Sequence, residues 1–305
     1  MGRPVPARLD SSEKLKYDRK MSKPGASGRQ DEVNTLMQWF PAKRYARPKG
    51  LALVIHGLNL RPTKMSSIIG ALTDAGVEVL NLSLRGHGEN YAPRRDMGGA
   101  RARAVSLKEA AYELWSKEAR EAYRAMGAKS ARLGVPIFFV GFSLGALLGV
   151  DLWASNAEIR FDRALLFAPA LDLRVPYRLV RILYPLPGLV IPSLGRKEYL
   201  ANSGVPIVAY KALLGMIRHF QAHVGPQADL PTLIFIDKGD EFIPFKKVKG
   251  IIAENRLRTW KICFVKKDRD ADVNLKHMII DEAALGRNRW RNMMEQGLKH
   301  LLNPP

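Results

Sequence analysis

The sequence predicts an α/β chain: a mostly parallel central sheet with helices on both faces. Three observations carry that expectation. Short, almost wholly apolar runs recur along the chain, stretches of helical periodicity separate them, and the run beginning at Pro136 leaves a strand directly into Gly-x-Ser-x-Gly. With 305 residues the chain is long enough to bury a large core.

The strands read in order are Leu51–Ile55, Val77–Leu80, Ile137–Val140, Ala164–Phe167, Leu233–Ile236 and Ile262–Val265. Runs that are apolar at consecutive positions fit parallel strands buried on both faces. Val33 to Phe40 is more amphipathic and reads as an edge hairpin. Among the helices, Ser106-Leu-Lys-Glu109 has the form of a capping box opening a long helix through Met126. Arg287 to Leu302 carries Trp290, Met293, Met294, Leu298 and Leu301 at helical spacing, a core-facing stripe.

One stretch breaks the alternation. Between Asp172 and Gln227 the chain carries Pro176, Pro185, Pro187 and Pro192, the apolar cluster Leu179-Val-Arg-Ile-Leu183, and a second helical pattern at Leu213, Leu214, Ile217 and Phe220. This reads as a helical lid inserted over the carboxyl ends of the strands, where such sheets bind ligands. The expected organisation is a basic extension over residues 1–30, a core over 31–172 and 228–305, and the lid over 173–227. Leu179, Leu183, Leu214 and Ile217 are the residues expected to line a substrate pocket beneath it.

Charge is the compositional oddity, at a formal +20. The basic residues are dispersed: Lys14, Lys16, Arg19, Lys20 and Lys23 near the start, Arg94, Arg95, Arg101 and Arg103 in a loop, and Lys246, Lys247 and Lys249 later. A nucleic-acid reader needs them on one face with stacking aromatics or a known module, and none is evident, so nucleic acid is not an expected partner. A diffusely basic surface favours anionic membranes instead. No run reaches the ~18 apolar residues of a membrane span, and the first thirty residues show no apolar signal region. A cytoplasmic protein, or one peripheral to the membrane, is the expected setting, with export the alternative if a signal has been removed. The lone Cys263 has no intramolecular disulfide partner and lies in an apolar run, as a structural thiol does.

The chemistry concentrates at Gly141-Phe-Ser143-Leu-Gly145. A serine raised on a sharp strand-to-helix turn exposes its Oγ, and glycines two residues to either side remove Cβ atoms from a crowded turn. A serine hydroxyl attacks only when a positioned base takes its proton. Of the six histidines, His277 follows the last apolar strand in a polar segment. His56 and His87 adjoin glycines and read as turn-holding residues, and His300 reads as surface. His219 and His223 stand at i, i+4, but no third metal ligand is evident, so no metal site is expected. No phosphate-binding loop or Cys/His cluster appears, and no cofactor is expected.

Five elements in order, His56-Gly57-Leu58, Arg85-Gly86-His87-Gly88, Gly141-Phe-Ser143-Leu-Gly145, Asp240-Glu-Phe-Ile-Pro244 and His277-Met-Ile-Ile-Asp281, resemble the α/β-hydrolases of the serine esterase and monoacylglycerol-lipase type, over residues 31–305. The resemblance implies the α/β-hydrolase fold and a triad of Ser143, Asp240 and His277. It also implies an oxyanion hole from the backbone N–H groups of Leu58 and Leu144. The sequence departs from the family where Asp237 stands in place of a glycine leaving the strand, so Asp237 rivals Asp240 as the acid, with Asp172 a third candidate. The implied activity is hydrolysis of carboxylic esters through an acyl-enzyme, and the apolar residues of the lid, with Arg174, Arg178 and Arg181 interleaved, point to a small lipid-like monoester as substrate. Thioesterase or amidase chemistry uses the same parts, and an idle binding protein is the alternative from another class.

Overall fold

The computed structural model describes residues 36–109, 111–193 and 195–303. The expected basic extension over 1–30 lies outside them. The strands are β1 (Met37–Phe40), β2 (Gly50–Ile55), β3 (Val77–Leu82), β4 (Ile137–Phe142), β5 (Arg163–Phe167), β6 (Val190–Pro192), β7 (Gly204–Pro206), β8 (Thr232–Ile236) and β9 (Trp260–Phe264). The helices are α1 (Ser66–Asp74), α2 (Gly99–Lys108), α3 (Tyr112–Leu133), α4 (Leu144–Ser155), α5 (Val175–Arg178), α6 (Ile207–His223), α7 (Phe245–Glu254), α8 (Glu282–Leu285) and α9 (Arg287–Leu302).

Seven strands form one sheet in the order β1-β3-β2-β4-β5-β8-β9. Only β1 runs antiparallel, pairing Met37 with Leu82 and Phe40 with Val79; every other pair is parallel. The expected edge element is therefore present as one strand, the residues before Leu36 lying outside the description.

The apolar runs are explained by their burial on two sides. Consecutive side chains of a strand point to opposite faces. Leu51, Leu53, Ile55 and Phe139 pack on one face with Trp115 and Ala119 of α3 and Leu147 and Leu148 of α4. Ala52, Val54, Phe138 and Val140 pack on the other with Ile68 and Leu72 of α1 and Met293 and Met294 of α9.

The chain leaves β2 toward β3 on one side and later returns to β4 on the other. This reversal opens a crevice at the carboxyl ends of β2 and β4, the place where open α/β sheets bind ligands. His56, Gly57 and Leu58 follow β2 there, and Ser143 follows β4.

The capping-box expectation at Ser106 is corrected. Ser106 lies in the last turn of α2, and its Oγ accepts the Ala92 N–H at 3.0 Å. The long helix α3 instead begins at Tyr112 after the extended Ala111, and ends at Gly134 in the left-handed conformation (φ 62°). The Ser-x-x-Glu pattern was satisfied by a loop contact distant in sequence, which local spacing does not reveal.

Between β5 and β8 lie α5, a 3-10 turn over Leu179–Leu183, the small antiparallel pair β6–β7, and α6. Among the described residues no helix is long and apolar enough to cross a membrane.

Candidate active site

The turn at Ser143 is strained by construction. Ser143 has φ 51° and ψ −113°, a conformation L residues rarely adopt, which lifts its side chain out of the strand and into the crevice. The turn is held by Ser143 N–H donating to Phe167 O at 2.9 Å and Ala170 N–H donating to Ser143 O at 3.1 Å. Gly145 is required by close approach: a Cβ there would stand 2.3 Å from Ile55 O and 2.5 Å from His56 O. A Cβ on Gly141 would meet the Ala146 Cα at 2.6 Å. Helix α4 can thus start against the end of β2 only with glycine at both positions.

His277 lies in the irregular segment after β9, and its Nε2 is 2.9 Å from Ser143 Oγ. Its Nδ1 is 2.7 Å from Asp240 Oδ2. A carboxylate only accepts, so Nδ1 carries the proton and Nε2 is left to accept from the serine hydroxyl. The imidazole is buried between Phe142, with ring centroids 5.1 Å apart, and Phe242, edge-on at 4.9 Å. Asp240 is fully buried, and its Oδ1 accepts the N–H groups of Phe242 and Ile243, both at 2.8 Å. Asp237 turns away and accepts the Gly239 N–H at 2.7 Å. Asp172 pairs with Arg178 and accepts the Leu173 N–H. Of the three carboxylates, Asp240 alone meets His277.

Leu58 lines the crevice beside Ser143 and Leu144 is the first residue of α4, directly after it; neither N–H donates to an acceptor among the described residues. Two buried histidines hold the loop bearing Leu58. His56 Nε2 accepts the Leu84 N–H at 3.1 Å while Nδ1–H donates to Gly57 O at 2.8 Å. His87 Nε2 accepts the N–H of Asn59, itself at φ 56°, at 2.8 Å. Both roles need a neutral ring. Burial pushes His56 down to about 4 and His87 well below its ordinary value.

The remaining histidines serve elsewhere. His219 Nδ1 lies 2.7 Å from the buried Asp151 and 2.9 Å from Tyr112 OH, and its ring stacks on His223 at 4.1 Å. His300, expected at the surface, is half-buried, 3.2 Å from Pro231 O. Cys263, expected to be buried, is half-buried; its thiol donates to Gln296 Oε1 at 3.1 Å, and burial raises its pKa, as befits an unreactive thiol.

A cavity of about 360 Å³ opens above Ser143, within the range of small-molecule sites. Its wall is mostly apolar and includes Leu58, Phe142, Leu173, Val180, Leu213 and Phe242. Among the described residues, none that lines it carries a carboxylate.

The four pocket residues expected from the 173–227 segment do not line it. Leu179 is 48% exposed and Leu183 half-buried; they lie in a 3-10 turn from which Val180 lines the cavity, beside Tyr177 of α5. On α6 the cavity-facing residues are Tyr210 and Leu213, while Ile217 is buried in the core and Leu214 packs against it. An apolar stripe does not say which of its residues meets the core and which a cavity. Phe242 and Glu241 were also missed. Glu241 accepts the N–H groups of Lys276 and His277, both at 3.0 Å, and only its place beside Asp240 could have drawn attention to it.

Residues 46–205, just over half of the chain, match the family model described as serine aminopeptidase, S33. No protein with curated annotation matches the chain in sequence. Among solved structures, the chain is similar to one described with the metagenome-derived lipolytic enzymes LipS and LipT (17% identity, TM-score 0.66, covering 87% of this chain and 96% of that one). It is also similar to a soluble variant of the monoglyceride lipase of Saccharomyces cerevisiae bound to a substrate analogue (11%, 0.70, 87% and 90%). A third is the monoacylglycerol lipase of Paleococcus ferrophilus (17%, 0.61, 87% and 98%). At these identities the likeness establishes a shared fold.

Proposed function

Because the chain belongs to the serine aminopeptidase S33 family of α/β-hydrolases, we propose that it hydrolyses carboxylic esters of an aliphatic, lipid-like kind through an acyl-enzyme. The observation that carries this reading is the 2.9 Å contact between Ser143 Oγ and His277 Nε2 at the floor of an apolar cavity. In the proposed cycle, Ser143 Oγ attacks the acyl carbonyl as His277 Nε2 takes its proton. The Leu58 and Leu144 N–H groups bind the oxyanion, which in well-studied hydrolases is worth roughly 3 kcal/mol per donor. Asp240 holds the tautomer and stabilises the imidazolium. His277 then protonates the leaving alcohol, and water repeats the sequence on the acyl-enzyme.

The missing carboxylate in the cavity wall favours an ester over a peptide with a free amino terminus. An ammonium group brought into an apolar cavity needs a counter-charge, and the lining supplies none. The acyl chain is the better occupant: each buried methylene contributes about 0.8 kcal/mol.

The outer surface of the 173–227 segment supports a lipid source. Val175, Leu179, Ile182, Leu186 and Leu189 are exposed there, with Arg181 exposed among them, on a chain of net charge +20. Exposed apolar residues interleaved with cations suit an anionic membrane surface, with this segment as the lid.

The test is kcat/KM over p-nitrophenyl esters from acetate to octanoate, with and without anionic vesicles. The reading expects a rise with chain length and co-sedimentation with anionic but not neutral vesicles. A maximum at acetate with no vesicle binding overturns the lipid reading. Failure of Ser143 to react with a fluorophosphonate overturns the hydrolytic one.

A further inference from the structure

His277 sits in a segment, from Val265 to Asp281, that contains no helix or strand. A catalytic geometry must nevertheless be held closely, since misplacement by an ångström can cost ~100-fold in rate. Backbone hydrogen bonds tie the segment to neighbouring elements at Val265 N–H to Ile236 O, Asp268 N–H to Leu285 O and Asp272 N–H to Ala283 O, all five or more residues from His277 in sequence. Near His277 itself the Met278 N–H donates to Leu275 O at 3.0 Å and closes a local turn, and two charged side chains tie that turn to the rest of the fold. Glu241 takes the N–H groups of Lys276 and His277. Lys267 takes the opposite polarity: its Nζ donates to Val273 O at 2.8 Å, Met278 O at 2.9 Å and Ala284 O at 2.5 Å. These carbonyls precede and follow His277, and an ammonium has three N–H donors, so all are used.

We propose that Lys267 is a positioning residue: its ammonium gathers the loop so that His277 Nε2 stays on Ser143, and loss of its proton slackens the loop and limits turnover at alkaline pH. The proposal rests on the hydrolytic reading of Ser143 and His277. A neutral amine keeps two N–H donors, so one carbonyl must be released. Lys267 is half-buried and bonded only to carbonyls, and this burial pushes it down to about 8. Glu241 and Asp237 on the loop after β8, and Asp281 before α8, pull the other way, each by less than burial pushes it down. On its own segment Asp268 is paired with Arg289. The release therefore falls within the working range of an esterase assay, where an ordinary lysine stays charged.

The experiment is a kcat–pH profile from about pH 6 to 10.5 for the native protein, Lys267→Arg and Lys267→Met, on one soluble p-nitrophenyl ester. It is paired with hydrogen–deuterium exchange of the peptide spanning 273–284, corrected for intrinsic exchange. The native protein should lose turnover with a midpoint near 8, while its 273–284 exchange rises several-fold. Lys267→Arg keeps its charge, so its activity limb moves above about pH 10 and its exchange stays flat. Lys267→Met should show kcat lower by about 10-fold or more across the range, KM within about twofold, and no limb near 8. Native and Arg profiles that coincide, or exchange at 273–284 that ignores pH, overturn the proposal. Should Lys267→Met not fold, the Arg comparison decides alone. A native protein without turnover or fluorophosphonate labelling sinks the hydrolytic reading separately, and the exchange data still judge the loop.

Discussion

Asp240 Oδ2 lies 2.7 Å from His277 Nδ1 across two separate loops, one after β8 and the other after β9. The remaining oxygen of Asp240 is bound to the Phe242 and Ile243 N–H groups, so the carboxylate cannot turn without breaking its own loop. Orientation of the imidazole is thus fixed by backbone, one step removed from the serine.

Asp240→Asn should cut kcat severely, by up to ~10⁴-fold on the serine-protease precedent, because an amide donor facing Nδ1 favours the wrong tautomer. Asp237→Asn should change kcat at neutral pH by less than about twofold, since an asparagine Oδ1 can still close the turn onto Gly239. Steady-state kinetics of both variants check this; a reversal of the two effects would transfer the acid role to Asp237.

Gly145→Ala should unseat the nucleophile turn. Its Cβ would press on two backbone carbonyl oxygens, which have no rotamer through which to yield. A loss of roughly 2–4 kcal/mol is expected in urea unfolding, with fluorophosphonate labelling of Ser143 slowed in the remaining folded protein. A variant of native stability and labelling rate would contradict the crowding.

Ser143→Gly should stabilise the protein by about 1 kcal/mol while abolishing turnover, because glycine accepts φ 51° without steric cost. Ser143→Ala keeps a Cβ and should gain less. Calorimetry decides it: a Ser143→Gly melting temperature at or below that of the alanine variant would mean that the turn stores no strain.

Acid should destabilise the fold through its buried histidines, against the opposing effect of the buried Glu118, whose carboxyl burial raises to about 6. The folded pKa of His56, about 4, lies below the 6.5 of the unfolded chain. Between those values the unfolded state binds more protons, so this contribution is complete above pH 6.5 and is lost as pH falls toward 4. The loss is about 3 kcal/mol, and His87 adds to it in the same direction. Urea midpoints measured between pH 7 and 4.5 should fall steeply, and less steeply in His56→Gln. Parallel curves would show that His56 does not drive the effect.

The alternation of apolar runs with helical stretches, and the glycines around Ser143, already determined the doubly covered parallel sheet and the tight turn at Ser143. They do so because burial on both faces and close backbone approach restrict residue type locally, whatever the rest of the chain does. The pairing of Asp240 rather than Asp237 with His277, the use of Ser106 to hold Ala92 instead of opening a helix, and the inward turn of Val180 and Leu213 in place of Leu179 and Leu214 were decided only in three dimensions. Each depends on a partner beyond the reach of a local pattern, from 14 residues away for Ser106 to 37 for Asp240. A carboxylate, a hydroxyl and a leucine carry the same local signal whichever neighbour the folded chain brings to them, so Lys267 and Glu241, which hold the His277 loop, look in sequence like any other surface charge.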